Sequence, residues 1–87
     1  MSAVADNVDI AADLHNEDDS GFVWAYLDRA QRPERVLVGD TVIAGGGGGR
    51  CLATVIDIVE GPGGQIVHLN LLPGSVTNFE KTRALKA

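Results

Sequence analysis

Cysteine is almost missing: Cys51 is the only one in 87 residues, so no internal disulfide can staple the chain and its fold must hold by packing. Such usage suits a reducing compartment, and a cytoplasmic location is expected. No run reaches the roughly eighteen apolar residues of a membrane-spanning helix. MSAVADNVDIAADL also lacks the basic start and apolar core of a secretory leader, so neither insertion nor export is signalled. Basic residues are absent from residues 1–28, which carry seven acids, whereas residues 29–87 carry five acids and seven bases. The two parts contribute −7 and +2 to a net charge of −5. Nucleic acid demands a concentrated basic face, and Arg29, Arg32, Arg35, Arg50, Lys81, Arg83 and Lys86 are only loosely grouped, which ranks it below protein as a partner.

With 45% hydrophobic and 22% charged residues the chain falls among globular proteins, and its length allows one domain with a modest core but no two-domain enzyme with a cleft between halves. Residues 1–7 are expected to fray and residues 8–87 to form that domain. VDIAADL alternates, Val8, Ile10, Ala12 and Leu14 facing one way and Asp9, Ala11 and Asp13 the other, as a strand with one wet face requires. HNEDDSG supplies a loop before GFVWAYL, a second strand that forms a hairpin if it pairs with the first; the rival is a helix capped by Ser20 and running to Ala30. Pro33 makes the next segment irregular, and Gly39-Asp40 bends the chain inside VLVGDTVIA. CLATVIDIVE and QIVHLNLL flank the turn GPGG, and the second alternates Val67, Leu69 and Leu71 against His68 and Asn70. Pro73-Gly74 ends the strands, and Ser75 caps a terminal helix through Val76, Phe79 and Leu85, whose apolar positions form no single stripe. The fold expected is mainly β: a small antiparallel barrel of five to six strands, SH3-like or translation-factor-like, with a short C-terminal helix.

The most conspicuous motif is AGGGGGRC, five glycines at positions 45–49. A phosphate-binding Walker loop requires Lys and Ser or Thr followed by a helix; here Arg50-Cys51 and a strand follow. The dinucleotide fingerprint needs glycines at i, i+2 and i+5, one position more than the run spans, so a flexible linker between strands is the reading. Asn16, Asp18, Ser20 and Gly21 match the opening of a calcium loop, but Leu27 stands where the closing glutamate belongs. His15, His68 and one cysteine make no zinc set. Cys51 opens an apolar strand and reads as a packed small hydrophobe, and Asp57 is a lone carboxylate, on the wet face or hydrogen-bonded inside. No catalytic, cofactor or metal residue is assigned.

LHNEDDSGFVWAYLDRA, VGDTVIAG and IVHLNLLPGSV together resemble a group of short uncharacterised actinobacterial proteins that share an acidic hairpin, an aromatic-rich strand, an LPG segment and a terminal helix. The resemblance runs from about Leu14 onward, implies one compact domain and transfers no catalytic residue. In that group a more polar, often acidic loop stands where this chain has its glycines.

Phe22, Trp24 and Tyr26 share one face of the second strand and leave Val23, Ala25 and Leu27 for the core. Either the terminal helix covers this aromatic stripe, or a partner protein or a second copy does. The expectation is a non-enzymatic interaction or oligomerisation module using Phe22, Trp24 and Tyr26. The alternative is a nucleic-acid or ribosome contact through Arg29, Arg32, Arg35 and Arg50 around the same platform.

Overall fold

Gly/Pro punctuation divides the chain as its residues demand. The computed structural model describes residues 7–17, 19–46 and 49–86, Lys86 by its backbone alone. Strands β1 (Ile10–Ala11), β2 (Val23–Tyr26), β3 (Thr41–Gly46), β4 (Gly49–Gly61) and β5 (Gly64–Leu72) precede helix α1 (Val76–Lys86). Single 3-10 turns at Leu27–Arg29 and Pro33–Arg35 fill the connection around Pro33. The strands make one sheet in the order β1-β3-β4-β5-β2, curled into a half-barrel. Among the described residues no helix is long and apolar enough to cross a membrane.

The β4–β5 hairpin stands as the alternation predicts, Gly61 opposite Gly64 at its turn and Val67 and Leu69 fully buried. The first two segments pair differently from expectation, although β2 is the strand that its composition favours. β2 is a strand ending in a 3-10 turn rather than a helix. It pairs antiparallel with β5, from Val23 opposite Leu69 to Tyr26 opposite Ile66, and so forms no hairpin with β1. β1 is two residues long and runs parallel to β3, Ile10 opposite Ala44, which makes the sheet mixed rather than antiparallel. The reason lies in the inner face: Val23 and Ala25 meet Leu69 and Val67 there, and burial outweighs the advantage of joining neighbours in sequence. The chain from β1 to Glu17 and the chain from β2 to Ala30 face each other across the mouth of the half-barrel, joined by isolated bridges at Ile10–Ala30 and Glu17–Val23.

Two clusters divide the core. Ile10, Val23, Ala25, Val36, Val42, Ala44, Ala53, Val55, Val67 and Leu69 fill the concave side, while Val8, Ile43 and Leu52 pack outward against Leu72, Val76 and Phe79. Helix α1 therefore covers one end of the outer face. It begins at Ser75, whose hydroxyl accepts the Asn78 amide at 3.1 Å. Val76, Phe79, Glu80 and Arg83 form its half-buried stripe at i, i+3, i+4 and i+7, whereas Leu85 is 88% exposed and takes no part in docking. A stripe that ends in two charged residues is invisible to hydropathy.

Those charges explain why Asp9 is not on a wet face. It is fully buried because α1 and the segment after β2 close over it. Arg32 Nη1 donates to Asp9 Oδ1 at 2.8 Å, Arg83 Nη1 to Oδ2 at 2.8 Å, and the Ile43 amide to Oδ2 at 2.9 Å. Its carbonyl accepts the amides of Gln31 and Arg32 at 2.9 and 3.0 Å. Burial, the largest influence, pushes the carboxyl up, but hydrogen bonds from Arg83, the Ile43 amide and Arg32, with the Arg83 charge, outweigh it and hold Asp9 below the ordinary carboxylate value. The fraying expected of residues 1–7 lies outside the described residues except at Asn7, which Arg32 and Arg50 contact and which donates to Glu80 at 2.9 Å.

Candidate interaction face and adjoining cleft

Alternation in β2 turns Val23 and Ala25 inward and Trp24 and Tyr26 outward, as the sequence implies. Register then builds two rows across three strands. Asp57 of β4 lies opposite His68 of β5, which lies opposite Trp24; one step on, Val59, Ile66 and Tyr26 form the second row. The Trp24 and Tyr26 rings meet edge to face, centroids 5.6 Å apart. Phe22 is half-buried just before β2, so the strand itself carries only the other two aromatics. Helix α1 packs on the Val8, Ile43 and Leu52 cluster rather than on this face, and Val59 remains 40% exposed.

A bulge puts Asp57 here. Strict alternation through ATVID would send it inward with Ala53 and Val55, but the register shifts between Val55 and Asp57; Ile56 is the extra residue. Ile58 then packs on the inner core and Asp57 points out. Its Oδ1 lies 2.6 Å from His68 Nδ1. Cys51 is six residues away along the same strand, about 20 Å, and its thiol donates to the Leu72 carbonyl at 3.6 Å. Histidine and aspartate thus meet without the cysteine. Asp57 in the first row and Asp28 just past Tyr26 are exposed and give the face an acidic edge.

Beside this face the mouth of the half-barrel gapes. The chain from Ile10 to Glu17 runs opposite the chain from Val23 to Ala30, pinned by bridges at both ends and by the Trp24 amide, which donates to the Asn16 carbonyl at 3.2 Å. Between the pins is a cleft of about 440 Å³, walled by Ala11, Ala12, Trp24, Tyr26 and Arg29 and reaching Gly45 and Gly46. The described glycines of the run belong to strands rather than to a free linker. Gly45 pairs with Arg50 and Gly46 with Gly49 in the β3–β4 ladder. Gly45 has φ +137°, and a Cβ there would strike the Gly49 carbonyl oxygen, so glycine is required at that point. The tip of the linker, at 47–48, lies outside the described residues, as does Asp18 of the calcium-like loop.

No protein-family model, curated protein or solved structure matches this chain.

The four arginines named from the sequence do not assemble. Arg32 is committed to Asp9, and Arg50 to Glu80 at 3.0 Å, its second contact being the Asn7 carbonyl. Arg32 and Arg35 border a groove of about 420 Å³ with Arg83, but Glu34 and Glu80 share it. Arg29 sits apart at the cleft. Among the described residues no group of three or more His, Cys, Asp or Glu side chains is arranged to hold a metal ion.

Proposed function

We propose that this protein is a non-enzymatic interaction module that binds another protein through the outer face of β4, β5 and β2. The observation that carries the reading is the pair of cross-strand rows, with Trp24, Tyr26, Ile66 and Val59 forming an apolar centre and Asp57 and Asp28 an acidic edge. A partner with apolar anchors and flanking bases complements it. A second copy would set acids against acids, which favours a different protein over self-association. A nucleic-acid role has less support, since Arg32 and Arg50 are spent on carboxylates of the same chain. The SH3-like or translation-factor-like kinship, membership of the actinobacterial group and a cytoplasmic location belong to the same proposal. The β3–β4–β5 meander is the part of the fold that supports such kinship.

The test is photo-crosslinking in an extract of the native host, with a benzophenone amino acid at Val59 or, as control, at exposed Lys81 on α1. A discrete adduct from position 59 and none from 81 is expected. Equal labelling from both positions, or none from 59, contradicts the proposal.

A further inference from the structure

Both walls of the cleft are pinned, which decides what can enter it. An extended peptide adding a strand to the β2 edge would have to displace the Asn16–Trp24 hydrogen bond and the bridges at Ile10–Ala30 and Glu17–Val23. A small molecule displaces none of these, and about 440 Å³ lies within the range of small-ligand sites. Aromatic rings line one side, where a flat, apolar body stacks favourably.

The polar groups specify charge. Arg29 is exposed, and its guanidinium has no ion-pair partner among the described residues. Asp13, the other charged group on the wall, is turned to His15: it accepts the His15 amide at 3.0 Å, and the ring nitrogen lies 3.6 Å away. Backbone geometry adds a second donor. Amide direction alternates along an antiparallel strand, and the Trp24 N–H points across the mouth to Asn16, so the Tyr26 N–H, two residues on, points the same way into the gap. Glycine at 45 and 46 brings no side chain to the far wall.

We infer that this cleft binds a small planar anion, an aromatic or heteroaromatic carboxylate, with its ring against Trp24 and Tyr26 and its carboxylate on Arg29 and the Tyr26 amide. Such a site adjoins the protein-binding face and shares with it the outward aromatics of β2, so a bound carboxylate and a docked partner would compete for Trp24 and Tyr26.

The test is nitrogen-15 NMR titration of the full chain with benzoate and indole-3-acetate, with their methyl esters and inorganic phosphate as controls. Saturable shifts are expected at Ala11, Ala12, Tyr26, Arg29, Gly45 and Gly46. Affinity should fall about tenfold for the esters and for Arg29→Gln, the scale of one lost charge-assisted hydrogen bond. Arg29 is exposed, so that variant should retain the parent spectrum away from the cleft. Absence of saturation with either carboxylate at millimolar concentration overturns the inference, as does equal binding by the esters or by Arg29→Gln. Shifts centred on Val59 and Ile66 also overturn it. None of these results bears on crosslinking from position 59.

Discussion

Asp9 shows how one side chain can organise a small fold. It ties the start of β1, the segment at Arg32, strand β3 and the last turns of α1 to a single buried carboxylate. Asp9→Asn leaves two arginines facing a neutral amide and should destabilise the protein by about 3 kcal/mol, the scale of a broken buried ion pair, measured by urea unfolding. Since folding depresses this pKa, the contribution is complete above the unfolded value of about 3.9 and is lost as the pH falls through the lower value of the native state. Acid unfolding followed by circular dichroism should accordingly flatten in Asp9→Asn below pH 4 relative to the parent, after allowance for its lower starting stability. Reading Asp9 as a surface residue follows from alternation alone. Alternation assigns a face but does not say whether something covers it, and what covers it here is a helix stripe ending in Glu80 and Arg83.

At the scale of elements, legibility tracks local chemistry. The β4–β5 hairpin and the Ser75 cap were readable because turn residues, period and capping hydroxyl all lie within a few positions of one another. The parallel β1–β3 pair was not, since it joins residues more than thirty positions apart through a two-residue strand. The bulge at Ile56 was equally hidden, because an extra residue leaves no mark on composition even though it decides that Asp57 meets His68. Trp24 and Tyr26 were legible as an outward pair, but their cross-strand neighbours depend on register. Three substitutions test the element assignments. Gly45→Ala should cost about 2 kcal/mol, because its φ of +137° is a strained region for alanine and the added Cβ meets the Gly49 carbonyl. Phe79→Ala should cost about 2 kcal/mol, below the full core value because the ring is half-buried, whereas Leu85→Ser should change stability by less than about 0.5 kcal/mol. Thermal melts of the three variants check both expectations. Hydrogen exchange at Gly45, Gly46 and Gly49 adds a further check, with protection well above that of an open loop if the ladder persists in solution.

For the molecule as a whole, the outer sheet surface is divided between two uses. Helix α1 and its ion pairs cover the end around Ile43 and Leu52, and the end around Trp24, Tyr26, Ile66 and Val59 is the one proposed to meet a partner. Trp24 joins the rows to the neighbouring cleft and is the residue through which contact surface and packing can be told apart. The most direct measurement is the yield of the crosslinked adduct from position 59 in a Trp24→Ala background, taken beside the melting temperature of the same protein. A binding face predicts that the adduct falls at least tenfold while the variant remains folded at the temperature of the experiment. An undiminished adduct, with only the melting temperature lowered, would show that Trp24 serves packing alone and would contradict the account.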